Sequence, residues 1–497
     1  MPKSSGRNSS PSPIIQSLPA NASLENLRKQ AKSLLKALRA EDVNALARLR
    51  TFHPRSDHLT RIALSDSQLV VARGYGFPSW PKLKQHVETI AEYSALPDGL
   101  TACDSSDSVV DRFISLACLN YTNDHASRRD EARKLLSQHP DLARGNIFAA
   151  ATVGDTVEIS RLLHRDPTKV DKRGGPRNWE PLLYATYSRL NSEDESYSTT
   201  EVARILLENG ADPNAGFLWD RQYLFTALTG AFGEGERGPT HQPPHRDCER
   251  LARLLLEAGA DPNDGQALYN RMFSGGISHL ELLFEFGLGK TRNGAWYQRL
   301  GNLDSPIQLL QQQSAWAIKY NQLARLELLI ERGVDLNQPD SRFKRLPYEL
   351  AIMSGNSEVA KILLKHGARK TALSDLDAFT AACLNADEVK ARALFSKAPT
   401  LVEQLGLEQT ELLNLAAESD KRDAIRLMAT LGFDLNKRKR TAPIHMAAAC
   451  GHLEMVKLLI ELGADPSIRD EEFNGTPLGW AEYSAQTEVI NYLKSLK

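Results

Sequence analysis

Three stretches of the chain hold residue types that could do chemistry. His241, His245, Asp247 and Cys248 lie close together and are of the kinds that ligate zinc. Pro243 and Pro244 separate the two histidines, so no helix presents both on one face. The stretch reads better as an exposed loop leading into a helix from Cys248 to Glu257. Gly233-Glu234-Gly235-Glu236-Arg237-Gly238 has the glycine spacing of a dinucleotide-binding turn. Its glutamates would repel a pyrophosphate and no helix follows, so a flexible insertion is the better reading. Gly289-Lys290-Thr291 ends like a phosphate-binding loop, but Phe284 stands where the first glycine is required, and Gly287 reads as a helix stop. No nucleophile elbow and no His-Glu-x-x-His helix is present. No catalytic, cofactor-binding or metal-binding residue is assigned, and enzymatic activity is not expected.

A binding role is better supplied. Trp179, Trp219, Trp296 and Tyr297 fall in expected hairpins or insertions, flanked by Arg177, Asp220, Arg221 and Arg292. Exposed aromatic rings beside arginine are favoured as interface anchors. This central stretch is therefore the first candidate for contact with another protein. The competing reading is that each ring packs on its own loop or on a neighbouring element.

The elements that would position these residues follow from periodicity. Residues 1–22 are rich in Ser, Pro and Asn and read as a disordered tail. Leu24, Leu27, Ala31, Leu34, Leu35 and Leu38 recur at helical spacing. With helices expected at Asp42–Leu49 and Ser67–Arg73, and from Pro81, residues 23–100 form a small helical bundle.

From residue 101 to 497 the chain repeats itself. Leu206-Leu207-Glu208-Asn209-Gly210-Ala211-Asp212-Pro213-Asn214 returns as Leu255-Leu256-Glu257-Ala258-Gly259-Ala260-Asp261-Pro262-Asn263. Shorter copies end at Gly333, Gly367, Gly432 and Gly463-Ala464-Asp465-Pro466. Neighbouring stops such as Gly333 and Gly367 are separated by about 33 residues. In each phrase the leucines pack inward, glycine takes the left-handed position that ends the helix, and Asp-Pro starts a turn. Pro443, Pro477 and their counterparts open the next helix.

Ala442-Pro443-Ile444-His445-Met446-Ala447 through Gly463-Ala464-Asp465-Pro466 resembles the ankyrin repeat family over nearly a whole unit. Weaker copies begin at Glu180-Pro181, Leu346-Pro347 and Thr476-Pro477. The resemblance implies an all-α solenoid of helix-turn-helix units with short β-hairpin loops, preceded by the bundle, which looks like the helical region before bacterial ankyrin arrays. It implies that His445 braces a hairpin by hydrogen bonding to backbone. Wider glycine spacing implies insertions near 233–247 and 290–306, and a further extension near 191–198 sits inside one unit.

Composition bounds the function. The chain has 61 Lys plus Arg against 62 Asp plus Glu, so its net charge of -1 gives no global pull toward nucleic acid or anionic membrane. No apolar run spans a bilayer and no signal peptide is apparent, so a cytoplasmic location is expected. The five cysteines are far apart and read as buried, reduced thiols. The expectation is a monomeric protein-interaction module or scaffold, without cofactor, binding another protein through the concave hairpin and first-helix surface. The alternatives are an enzyme whose site is hidden in the insertions or bundle, or a secreted effector.

Overall fold

The computed structural model describes residues 15–19, 21–190, 197–290 and 294–496. Residues 1–14 of the expected tail, residues 191–196 and Arg292 lie outside the described residues. The chain is mostly helical, with three short strands among the described residues, and it divides into two compact units, Met1–Leu309 and Leu310–Lys497.

The first unit opens with α1 (Leu24–Arg39), α2 (Val43–Phe52), α3 (Leu64–Gly74) and α4 (Trp80–Tyr93). Ser23, Asp42 and Ser79 cap three of these helices, each side chain accepting from the backbone N–H three residues on. Leu27, Ala31, Leu34, Leu38, Leu49, Val70 and Leu83 form their common core. The tail expectation fails from residue 15: the Gln16 N–H donates to the Gly74 carbonyl at 2.9 Å, and Leu18 and Ala22 lie against this core. The apolar side chains of that segment find a surface to bury on.

A small sheet of order β1-β2-β3 joins the bundle to the helix pairs of the first unit. β1 (Ser94–Ala95) follows α4 directly and pairs in parallel with β2 (Gly216–Trp219), which pairs antiparallel with β3 (Tyr223–Thr226). Between β2 and β3, Asp220 and Arg221 both take positive φ, 47° and 62°, the signs of the tight turn that suits hairpin twist. Among the described residues this is the one hairpin with paired strands. At Glu472–Leu478 no strands pair, and the Asp470 carboxylate accepts from the N–H groups of Glu472, Phe473 and Gly475 and from Trp480 Nε1, at 2.6–2.9 Å. One side chain makes the turn that a strand ladder would have made.

The rest of both units is a succession of helix pairs. The first unit holds Val109–Ala117 with Ala126–Gln138, Ile147–Val153 with Thr156–Arg165, and Pro181–Tyr187 with Thr199–Glu208. It continues with Ala227–Phe232 and Cys248–Glu257, then Gly265–Met272 and Ser278–Glu285. The second unit, which takes in most of Pro306–Lys319, runs on through Leu323–Glu331 and Pro347–Met353 with Ser357–Lys365 to Pro477–Tyr483 with Thr487–Ser495. The short first helices Pro181–Tyr187, Pro347–Met353, Pro443–Ala449 and Pro477–Tyr483 open with proline, and Pro181–Tyr187 is buried throughout. The second helices bury one stripe, such as Met455, Val456, Leu458 and Leu459. Cys118 and Cys383 are buried, whereas Cys450 is exposed at the end of a first helix.

Gly210, Gly259, Gly333, Gly367, Gly432 and Gly463 all stop second helices at φ between 79° and 104°. After each stop the turn is closed by side chains. Asp434 Oδ1 accepts from Asn436 N–H at 2.9 Å. The Asn436 side chain then reaches one repeat forward, donating to the Gly463 carbonyl at 2.9 Å and accepting from Asp465 N–H at 2.7 Å. Asn214 makes the same two bonds to Gly259 and Asp261, and Asn337 to Gly367 and Arg369.

Asn436→Ala should therefore lower stability by about 1–2 kcal/mol, read as a shift in urea midpoint. Asn436→Asp, which keeps the acceptor and loses the donor, should fall between it and the parent. An unchanged midpoint for the alanine variant would count against the clip.

Candidate protein-binding surface

The small sheet decides what the nominated aromatic residues do, because β2 alternates its side chains between two faces. On one face Phe217 stacks on Trp179, ring centroids 4.6 Å apart, and on Phe225 of β3. Trp179 also meets Tyr184 and Tyr187 and is 1% exposed. Arg177, buried beside it, lies over the Trp179 ring and donates to the Ser115, Cys118 and Leu119 carbonyls, closing the end of helix Val109–Ala117. On the other face Leu218 packs with Trp296 and Leu300 of the second insertion, together with Ile90 and Tyr93 of α4.

The expectation that Trp179, Trp296 and Arg177 stand exposed for a partner is thus corrected. Trp296 is 4% exposed, donates to the Asn214 carbonyl at 2.8 Å and meets the edge of Tyr93. Tyr297 is half-buried and donates to the Asp304 carbonyl. Trp219 is half-buried with its Nε1 on the Asn120 carbonyl. Asp220 and Arg221, half-buried, form the hairpin turn. The sheet carries Trp179 and Trp296 on opposite faces, and this chain itself covers both, with Tyr184, Tyr187 and Phe217 on Trp179 and Tyr93 on Trp296; Lys82 Nζ of α4 also donates to the Gln298 carbonyl and Asp220 N–H to the Ala95 carbonyl.

The first insertion is packed rather than flexible. Arg189, buried, donates from Nε to the Pro243 carbonyl and from its other nitrogens to the Thr186, Ser188 and Gly230 carbonyls. Glu234 pairs with Arg271, and Glu234 N–H donates to the Gln242 carbonyl. The nitrogens of His245 are used within the protein: Nδ1 accepts from Asp247 N–H, and Nε2 meets the Thr199 hydroxyl at 2.7 Å. Burial, with the Arg189 charge adding to it, pushes His245 down to about 3. A cavity of about 30 Å³ bordered by Asn214, Asp261, Asp264 and Trp296 has room for water and is far below the size of a small-molecule site.

The second unit presents a different surface. His445 is fully buried, accepts from Ala442 N–H at Nδ1 and faces the Ile468 and Gly475 carbonyls with Nε2, so it ties the tip to the helix start. Beyond that brace the tips lie open. Lys437, Arg438, Lys439 and Arg440 occupy one tip, with Arg438 near Glu471, Arg440 on Glu472 and Lys439 near Glu411 of the adjoining first helix. Phe473 on the next tip is 66% exposed, and its ring edge meets Trp480. These residues were not nominated from sequence. The basic run was visible there, but nothing distinguished Phe473 from the rings that turned out to be core.

A family profile described as ankyrin repeats (3 copies) matches residues 379–470 and 413–496. Residues 379–496 are an ankyrin-repeat segment. The E3 ubiquitin-protein ligase hecd-1 of Caenorhabditis elegans is similar, 34% identical over 61 residues, which is 12% of this chain and 2% of that protein. The chain spans only that small share of the relative's length. Among the described residues no helix is long and apolar enough to cross a membrane.

Two outcomes check this account of the first unit. Trp179→Ala should cost about 3–5 kcal/mol of stability, read as a large drop in melting temperature, since it empties a packed aromatic site. His245 has a folded pKa below its unfolded one, so between pH 6.5 and about 3 the unfolded chain takes up a proton that the folded chain refuses. Stability should fall as pH is lowered through that window, by at most about 1.4 kcal/mol per pH unit from this group. His245→Gln should flatten the slope between pH 6.5 and 5, measured by urea titration.

Proposed function

We propose that the chain is a protein-interaction scaffold, a solenoid of ankyrin-type helix pairs that binds another protein through the tips and first helices of its second unit. The observation that carries this reading is a contrast between like elements. In the first unit the hairpin is covered on both faces by the chain itself, whereas in the ankyrin-repeat segment the tips expose a basic run and an aromatic ring. Ankyrin repeats generally mediate protein–protein contacts, and a row of rigid tips beside first-helix residues such as Glu411, Asn414 and Met446 suits a macromolecular surface. Short surface ion pairs such as Lys439 with Glu411 contribute little to stability, so the charges remain available for exchange with a partner's.

The test compares the two sides of the second unit. A photo-crosslinking amino acid is placed at Phe473 on a tip and, in a separate variant, at Val389, which is 83% exposed on the second helix Glu388–Lys397. Irradiation in cells of the native organism should give a discrete protein adduct from position 473 and none from 389. Adducts from 389 alone, or equal adducts from both, would refute the assigned face.

A further inference from the structure

Three tips of the second unit carry exposed basic residues, and this row of cations bears on the chemistry of the partner. Arg342, Lys344 and Arg345 lie on the first tip, Arg369 and Lys370 on the second, and Lys437, Arg438, Lys439 and Arg440 on a later one. Lys344, Arg369, Lys370, Arg438, Lys439 and Arg440 are exposed. Among the described residues no carboxylate pairs with Lys344, Arg369, Lys370 or Lys437. The row is fixed in place from within: Arg345 pairs with Asp377 at 3.0 Å, Asn337 clips the backbone at Arg369, and Arg438 donates to the Arg469 carbonyl at 2.8 Å. Lys437-Arg438-Lys439-Arg440 is an uninterrupted run of four cations in a chain whose net charge is only -1.

We propose that this row binds an extended, acidic polypeptide segment. The inference rests on the protein-binding reading above and names the chemistry of the partner at the same face. A peptide is favoured over a nucleic acid because carboxylates are interleaved with the cations. Glu471, Glu472 and Glu411 stand beside Arg438, Arg440 and Lys439, and a uniformly charged phosphate backbone would meet each of them. A peptide can place its acidic residues against Lys344, Lys370 and Lys437 and set neutral or apolar residues elsewhere. Phe473 offers an apolar contact at the edge of the row. Such binding weakens as salt screens the charges.

The experiment titrates the full chain with a fluorescein-labelled Glu/Asp-rich peptide containing one leucine, with a lysine-rich peptide of equal length and with a single-stranded DNA oligonucleotide, read by anisotropy. The double variants Lys344→Glu/Lys370→Glu and Lys437→Glu/Lys439→Glu are compared, each checked for an unchanged melting temperature; if one loses its fold, Lys→Gln at the same positions replaces it. The acidic peptide should bind at low ionic strength, weaken with added NaCl and weaken by about tenfold or more in each double variant. No binding of the acidic peptide, binding indifferent to the substitutions, or tighter binding of the oligonucleotide would overturn the proposal. A protein adduct at position 473 together with failure of the acidic peptide would leave the interaction reading standing and remove the acidic preference; absence of both would remove the two together.

Discussion

Every helix end leaves carbonyls without an intrahelical donor, and in the second unit the donors come from the following repeats. At the ends of four first helices the residue before a later second helix supplies them. Asn356 donates to the Ile318 and Lys319 carbonyls, Lys421 to Ser354 and Gly355, His452 to Glu418, and Gln486 to Ala449. At the stops of second helices the asparagine clips do the same work in the other chain direction, from Asn337 to Gly367 and from Asn436 to Gly463. Leucine and alanine stripes attract without direction. A fastener at each end of the pair is what prevents one pair from sliding past the next.

The first unit meets the same constraint with longer side chains. Arg128, Arg177 and Arg189 reach the carbonyls at the ends of helices Val109–Ala117 and Pro181–Tyr187, with Asp104 and Asp124 balancing Arg128. A guanidinium spreads its donors over several carbonyls at once and suits the negative end of a helix. The bonds from Arg189 to Pro243 and Gly230 then draw the first insertion onto the same helix end. Burial lowers the pKa of Arg189, and the carbonyl oxygens around it stand in for water.

Much of this was legible in the sequence. The left-handed glycines and the proline-led first helices are local effects that residue types express directly. His445 was legible for the same reason, since its partners lie in its own unit and the next. The fate of Trp296 was not legible, because it depends on β1, a two-residue strand that pairs with β2 more than a hundred residues away. Residues as few as Ser94 and Ala95 carry no periodicity, and once they dock, α4 brings Ile90 and Tyr93 to the Trp296 cluster. The packing of residues 233–247 was hidden likewise: glycine and proline in that stretch signal a loop but say nothing of the buried arginine beneath it.

An aromatic residue at a repeat tip therefore has two possible outcomes, set by whether another segment of the chain reaches it. Phe473 differs from Trp179 in how its backbone is held. Its tip is organised by the Asp470 carboxylate, and although burial works against the charge, the donors around it hold that carboxyl down to about 2, so it is ionised throughout the physiological range. A turn fixed by its own backbone and one aspartate does not need the ring for stability. The ring is left outside on an already ordered support, where a partner that covers it has less backbone entropy to remove. The same economy applies to the basic run, where Arg438 and Arg440 are anchored on the next tip and Lys439 stays exposed beside Glu411.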